Sequence, residues 1–381
     1  MKILIINFEY PPLGGGGGVA TRQLAEYVAA FDEVHVLTTG FKGLPSEEKL
    51  AGVNIHRVSV LGRRQLPAAS FLSLITFVPA ALWKGFMLFQ AHDFCVINAQ
   101  FVVPSGVVGR LLSAWFRVPL IVSFIGGDVY DPTKGTSPHR HGLLRALVRF
   151  VARGAAVRTA ISKDTRMRAR DLLGVQGDIE ILPVGFTAPV AMVRKNRREL
   201  GLPEGVPLVV GVGRLIARKR YDMFLAVLQK LPNVHGVIVG EGQLRSYLED
   251  RAKKLGVNER VHFLGFVSDD RKWEVLESAD VYLSTAEHEG FGIVFLEAMA
   301  AGLPVVAVSH GGQEDFLVHE KNGFFAGVGE EAKLPGFIET LLADNDLRKD
   351  IGRYNRLYVE RYKDTHVGEQ FLDILRRVTK V

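Results

Sequence analysis

Short aliphatic runs alternate with amphipathic stretches along nearly the whole chain, and this alternation constrains the fold more than any other feature. Residues 3–7, 34–38, 55–60, 96–98, 120–124, 158–161 and 179–182 read as strands, with helical patterns such as 20–30, 104–116 and 143–153 between them. A second set starts at Pro207, with strands over 209–212, 237–239, 261–264, 281–283 and 305–308. Each strand is followed by a helix long enough to cross over, so parallel sheets with helices on both faces are expected. At 381 residues the chain exceeds what one core usually serves. Two doubly wound α/β domains are expected, over 1–188 and 189–361, with 185–198 as the linker and 362–381 as a closing helix. Ligands of such sheets bind at the carboxyl ends of the strands, here in a cleft between the two domains.

The net charge of +6 is unevenly spread. Residues 1–195 carry 22 Lys+Arg against 13 Asp+Glu, while the remainder carries 25 against 28. An anionic partner is therefore expected for the first half only. No basic–aromatic motif of a nucleic-acid module is present, so an anionic membrane surface or a phosphate-bearing acceptor fits better. The single cysteine, Cys95, allows no internal disulfide and suits a reducing cytoplasm. No Cys/His spacing suggests zinc, and the first apolar run is too short for a signal peptide.

Two carboxylates lie eight residues apart in Glu289-Gly-Phe-Gly-Ile-Val-Phe-Leu-Glu297. A strand precedes this segment and a helix follows it, so Glu289 stands in the loop and Glu297 about one turn into the helix. The unpaired N–H groups of the helix start and two flexible glycines make a seat for phosphate. The arrangement suits a nucleotide-diphosphate sugar, with Glu297 on ribose hydroxyls, helix amides on phosphate and Glu289 on the sugar. Upstream, Gly211-Val-Gly213-Arg214-Leu-Ile-Ala-Arg218-Lys219 also follows a strand. Arg214 and Lys219 can neutralise a diphosphate, one by paired hydrogen bonds and the other as a point charge; Arg218 and Arg220 read as surface neighbours. Near the N-terminus, Gly14 to Gly18 form a run of five glycines ahead of a helix. A dinucleotide fingerprint fits there only formally: Pro11-Pro12 lengthens the turn, and the second strand ends in Leu37-Thr38-Thr39 without an acidic ribose ligand.

With its E-G-F-G-x-x-x-x-E segment framed by a strand and a helix, the chain resembles the retaining glycosyltransferases of family 4, which have the GT-B fold. The resemblance runs through most of the chain and is strongest over 207–325. It implies that 1–188 is the acceptor side, that 189–361 binds the nucleotide sugar and that the last helix crosses back to the first domain. Gly17 and Gly18 are implied to approach the donor sugar-phosphate, and Arg214 with Lys219 matches the G-R-x-x-x-x-K motif. Gly240 and Glu241 look like the turn beside the nucleotide, and the backbone near Val267 resembles the segment that reads the base. Gly290, Phe291, Gly292 and Ile293 complete the donor loop, and Gly311-Gly312-Gln313-Glu314 reads as structural. Ile125 stands where many relatives carry a histidine facing the sugar. Asp128 reads either as an acceptor-side base or as a turn-forming residue.

The expected activity is transfer of a UDP- or GDP-linked hexose to a hydroxyl acceptor, a glycolipid or polysaccharide precursor, with the α configuration retained. An epimerase or phosphorylase of the same fold, and a noncatalytic nucleotide-sugar-binding protein, remain the alternatives. No cofactor or metal is expected: the only Asp-x-Asp match is Asp344-Asn345-Asp346, between two helical stretches, where helix capping explains it. Residues 66–91 are apolar, but Pro79, Lys84 and two serines make them a poor membrane span. Arg145, Arg149 and Arg153 fall on one helix face near Leu147 and Phe150, a pattern shared by solvated faces and by helices lying on anionic membranes. The expected location is the cytoplasm, with a peripheral position on the inner membrane face as the extension of that pattern.

Overall fold

The computed structural model describes residues 1–64, 66, 69–189 and 196–380, so the middle of the expected linker, 190–195, lies outside the described residues. The chain divides into two compact units, Met1–Phe186 with Tyr362–Val381, and Thr187–Arg361.

In the first unit β1 (Lys2–Ile6), β2 (Glu33–Thr39), β3 (Glu47–Leu50), β4 (Val53–Val58), β5 (Val96–Gln100), β6 (Leu120–Phe124), β7 (Val157–Ala160) and β8 (Glu180–Ile181) form one sheet. Its order is β3-β4-β2-β1-β5-β6-β7-β8, with only β3 antiparallel to its neighbour. Strands covered on both faces are apolar without alternation, as Ile3-Leu-Ile-Ile6 is. Ile3 and Ile5 pack with Leu24 and Val28 of the Gly16–Ala29 helix and with Phe371 and Leu375 of the C-terminal Asp364–Thr379 helix. Leu4 and Ile6 face the other layer, with Phe77 of the Phe71–Ala91 helix and Val108 of the Ser105–Phe116 helix. β3 was not expected: its sequence, Glu-Glu-Lys-Leu, is that of a charged edge strand.

The Phe71–Ala91 helix is long and apolar enough to cross a membrane by length and composition. Its buried seam is Ser73, Phe77, Ala81, Gly85 and Leu88. Small residues let this face come close; a Cβ on Gly85 would lie 2.5 Å from Leu112 Cδ1. Phe71, Leu72, Ile75, Trp83 and Met87 are left exposed.

In the second unit β9 (Leu208–Val212), β10 (His235–Val239), β11 (Val261–Gly265), β12 (Val281–Ser284), β13 (Val305–Ser309) and β14 (Gly323–Gly327) form an all-parallel sheet. The order β11-β10-β9-β12-β13-β14 is the 3-2-1-4-5-6 order of dinucleotide-binding folds. Strand order reverses between β9 and β12, so the crevice at their carboxyl ends is where this sheet offers a ligand site. In the first sheet the corresponding reversal lies between β1 and β5. Asp344 caps the Asn345–Tyr358 helix, accepting from the Asp346 and Leu347 N–H groups, as expected of it.

Candidate functional site

The loops leaving β9 and β12 bring Arg214, Arg218, Lys219 and Glu289 to one end of the second sheet. After β9 the chain passes Gly213 and Arg214 into a short 3₁₀ turn, Ala217–Lys219. After β12 it runs through Thr285 to Gly292 and enters the Ile293–Ala300 helix. Thr285 Oγ1 donates to the Arg220 carbonyl at 2.8 Å, and the Glu287 N–H donates to the Arg218 carbonyl at 2.8 Å, lacing the loops together. Between them the buried Glu289 carboxylate accepts from Lys219 Nζ through Oε1 and from Arg218 Nη1 through Oε2, the latter at 3.0 Å. Arg218 Nη1 also donates to the His288 carbonyl. Arg218 is therefore not a surface neighbour: its chain position beside Lys219 suggested a solvated run, but the 3₁₀ turn folds both cations onto one carboxylate. Behind Glu289, its carbonyl accepts from the Gly312 N–H at 2.7 Å, which gives the late Gly-Gly segment a bracing role. Gly311 has φ 106°, and a Cβ there would lie 2.5 Å from the Glu289 carbonyl oxygen.

Burial pushes the Glu289 pKa up, but Lys219 and Arg218 outweigh it and hold the carboxyl at about 2. Burial lowers the Lys219 pKa, and the Arg218 and Arg214 charges lower it further against the pull of Glu289. Arg214 is exposed. Arg218 and Lys219 share one carboxylate, an excess of one formal positive charge at the strand-order reversal, and Arg214 lies near enough to act on Lys219.

One turn into the next helix, Glu297 is buried and pairs with Lys272 Nζ at 2.7 Å. Its other oxygen, Oε2, is buried without a hydrogen-bond partner among the described residues. Burial raises its pKa despite Lys272. Lys272, from the Asp269–Ser278 helix, had no motif to mark it in the sequence. Gly292 enters the helix at φ 94°, and a Cβ there would meet the Phe295 ring at 2.5 Å, so a side chain is excluded at this corner. Phe291 is buried against Phe316, ring centres 5.2 Å apart. Ile293 opens the helix, where N–H groups have no intrahelical partner.

Gly240 ends β10 beside the same loop: its N–H donates to the Gly265 carbonyl at 2.8 Å, and a Cβ on it would lie 2.0 Å from the Gly213 carbonyl oxygen. The Glu241 carbonyl accepts from the Leu215 N–H at 2.9 Å, while its exposed carboxylate accepts from Arg245 Nη1 at 3.0 Å. Val267 follows β11 and is half-buried, next to the fully projecting Phe266.

The remaining candidates belong to the first unit. The Gly16–Ala29 helix starts four residues earlier than position 20, running through the glycines. A Cβ on Gly17 would lie 2.5 Å from the Phe101 ring, and one on Gly18 would lie 2.9 Å from the Glu9 carbonyl oxygen. Both glycines thus have a packing reason independent of any ligand. Asp128 is buried and accepts from the Val102 N–H at 2.7 Å and the Ile125 N–H at 2.9 Å, one on each oxygen. Both carboxylate oxygens thus brace the loop that carries Ile125. Burial is the larger influence and lifts its pKa to about 6, against the backbone donors.

Residues 14–185 match the model of the glycosyl transferase 4-like domain, and residues 192–358 match that of the glycosyl transferases group 1. The chain is a family 4-type glycosyltransferase with the GT-B fold. It is 28% identical to an uncharacterized glycosyltransferase of Methanocaldococcus jannaschii, over 99% of this chain and 98% of that one. Among solved structures, the glycosyltransferase is similar to sucrose-phosphate synthase from Thermosynechococcus elongatus, with a TM-score of 0.87 at 23% identity over 99% of both chains. It is also similar to Anabaena HepE in complex with UDP-glucose, with a TM-score of 0.78 at 22% identity over 99% of this chain and 100% of that one. In this glycosyltransferase Arg214, Lys219 and Glu289 all lie on the loops that leave β9 and β12 at the strand-order reversal.

Proposed function

We propose that the protein transfers a hexose from a nucleoside-diphosphate sugar to a hydroxyl acceptor with retention of the α configuration and without a metal ion. The observation that carries this reading is the net-positive cluster around Glu289 at the reversal between β9 and β12. Arg214 and Lys219 take the diphosphate, helped by the amides that open the Ile293–Ala300 helix. Glu297 Oε2 accepts from a ribose hydroxyl, and the backbone near Gly240 and Val267 meets the base. Glu289 orients the hexose, and Arg218 holds it there. A carboxylate with each oxygen paired to a cation is a weak nucleophile, which favours a same-face route over a covalent glycosyl-enzyme. In that route the bond from the anomeric carbon to the β-phosphate oxygen breaks, and the acceptor oxygen bonds that carbon from the same side. The hydroxyl proton passes to the departing phosphate oxygen. UDP-glucose, the ligand of the HepE complex, is the first donor to try. A thermal-shift panel of UDP- and GDP-sugars followed by a transfer assay with excess chelator tests the reading. Donor-dependent transfer that survives chelation is expected, and loss restored by Mg²⁺ or Mn²⁺ overturns the metal-free route.

A membrane-borne acceptor is favoured by a separate observation. Trp83 and Phe71 project from the Phe71–Ala91 helix, Leu143 is 75% exposed, and Arg145, Arg149 and Arg153 share a face of the Gly142–Arg153 helix. Exposed aromatic and aliphatic residues on one helix and a row of arginines on another suit an anionic lipid surface and support a peripheral position on the inner membrane face. Co-sedimentation with anionic but not zwitterionic vesicles is expected; equal behaviour with both overturns it.

A further inference from the structure

Glu33 and His35 lie two residues apart on one face of β2, and His92 directly follows the Phe71–Ala91 helix. One ligand atom from each of Glu33, His35 and His92 lies within 4.8 Å of the others, and His35 Nε2 lies 2.9 Å from Glu33 Oε1. We propose that these three residues bind a zinc-class divalent ion that clips the end of this helix to the start of β2.

The histidine chain beside this cluster lacks a proton for one of its contacts. Glu33 Oε1 lies 2.9 Å from His35 Nε2, His35 Nδ1 lies 3.0 Å from His56 Nε2, and His56 Nδ1 lies 3.4 Å from Glu47 Oε1. Three contacts in series run between two carboxylates, and each needs a proton. Two neutral imidazoles supply one each, so the chain is one positive centre short. An extra proton fills the gap only by charging a ring largely withdrawn from water, since His35 is 3% exposed. It also has to sit among cations, because Lys2 approaches Glu33 Oε2 at 3.4 Å and Lys84 already pairs with Glu47 at 2.5 Å. A metal ion on His35 Nε2 and Glu33 Oε1 closes the deficit with both rings neutral. His35 then donates through Nδ1 to His56, and His56 donates to Glu47. Metal-bound histidines are oriented by this kind of outer hydrogen bond.

The donor set fits the ion. Two imidazoles and a carboxylate are ligands that zinc accepts. The Glu33 and His92 side chains are 41% and 29% exposed, so the ion has a route in from solvent. His92 approaches Glu33 Oε1 at 4.0 Å; with bonds of about 2.0–2.2 Å, closing onto the ion needs a side-chain movement of about 1 Å. β2 starts at Glu33, so the ion sits at the amino end of the sheet, away from the carboxyl ends that serve ligands. It therefore acts as a clip, and the proposal does not rest on the transfer reading. Positions 33, 35 and 92 are far apart in the chain, so no short ligand spacing marks them.

The test uses the full chain stripped with chelator and titrated with Zn²⁺ against a chromogenic competitor, with melting followed in parallel. One saturable equivalent of micromolar affinity or tighter is expected, with a Tm higher by several degrees when zinc is in excess. His92→Ala and Glu33→Gln should each weaken zinc at least tenfold while melting near the wild-type temperature without it. The nitrogen-bound proton on His35 Nε2, seen by NMR in the stripped protein, should disappear as zinc is added. No saturable equivalent, unchanged affinity in either variant, or an Nε2 proton that persists at saturation each overturns the proposal.

Discussion

Asp128 in the first unit and Glu289 in the second are both buried loop carboxylates, yet their pKa values move in opposite directions. Asp128 is held by backbone N–H groups alone, and burial wins, lifting it to about 6. Glu289 has Lys219 and Arg218 against it, and the two charges win, holding it at about 2. The difference separates bracing from chemistry. Backbone dipoles suffice to fix a loop, whereas full counter-charges keep a carboxylate ionised and leave the loop with an excess of positive charge for a ligand. Similar sheet topology locates a crevice in both units; the side chains at its rim decide what it can do.

The hardest blow to this contrast is to remove Lys219. Lys219→Ala leaves Glu289 buried with Arg218 alone, and breaking a buried ion pair costs about 3–5 kcal/mol. Chemical denaturation should show that loss, and calorimetry should show weaker nucleoside-diphosphate binding. A variant as stable as wild type would mean that the pair contributes nothing net.

Proton linkage should reveal the contrast with opposite signs. For Glu289 the unfolded group titrates near 4.5 and the folded one at about 2. Its stabilisation is complete above about pH 4.5 and is lost as pH falls toward 2, a total of about 3 kcal/mol. For Asp128 the unfolded value is 3.8 and the folded value about 6. The folded state holds the extra proton between them, so stability falls as pH rises through this window, again by about 3 kcal/mol. Unfolding free energies from pH 3 to 7 for wild type, Glu289→Gln and Asp128→Asn should show each slope vanish in its own variant. Slopes of the same sign would refute the contrast.

How much of this was legible beforehand follows from where the signal resides. Strands buried on both faces announced themselves as apolar runs, and the loop carboxylate, the cations and the glycines stood in recognisable spacing. β3 was missed because a charged edge strand carries no apolar pattern, and β14 because Gly-Phe-Phe-Ala-Gly is short and bounded by glycine. Arg218 was misread because only the fold of the 3₁₀ turn tells which of several adjacent cations reaches the carboxylate. Lys272 lies on a different helix from Glu297, and no local spacing records such a pairing. In the Phe71–Ala91 helix, Ser73, Ala81 and Gly85 share the buried seam with Phe77 and Leu88, and small residues carry no signal of burial in an apolar run.

Within the second unit the two glutamates should separate in kinetics. Glu297→Gln should weaken free nucleotide and donor alike by about 1.5–3 kcal/mol, the scale of a charged hydrogen bond. Glu289→Gln should leave nucleotide affinity nearly intact and depress turnover, because sugar orientation counts most in the transition state. Equal loss of nucleotide affinity in both variants would merge roles that the geometry keeps apart.

The smallest effect on the fold is expected at Arg214. Its side chain is exposed, unlike that of Lys219, so Arg214→Ala should change stability by no more than about 0.5 kcal/mol. Its charge is nevertheless close enough to lower the Lys219 pKa, so it contributes to the field that meets the diphosphate. Donor affinity should therefore fall by about 1.5 kcal/mol, the lower end for a hydrogen bond to a charged group. The loss should shrink with added salt, because an exposed charge is screened where a buried one is not. Lys219→Ala should show a loss that salt barely alters. If the two variants respond to salt alike, the distinction between an exposed and a buried arm of the phosphate clamp fails, and the cluster acts as one undivided charge.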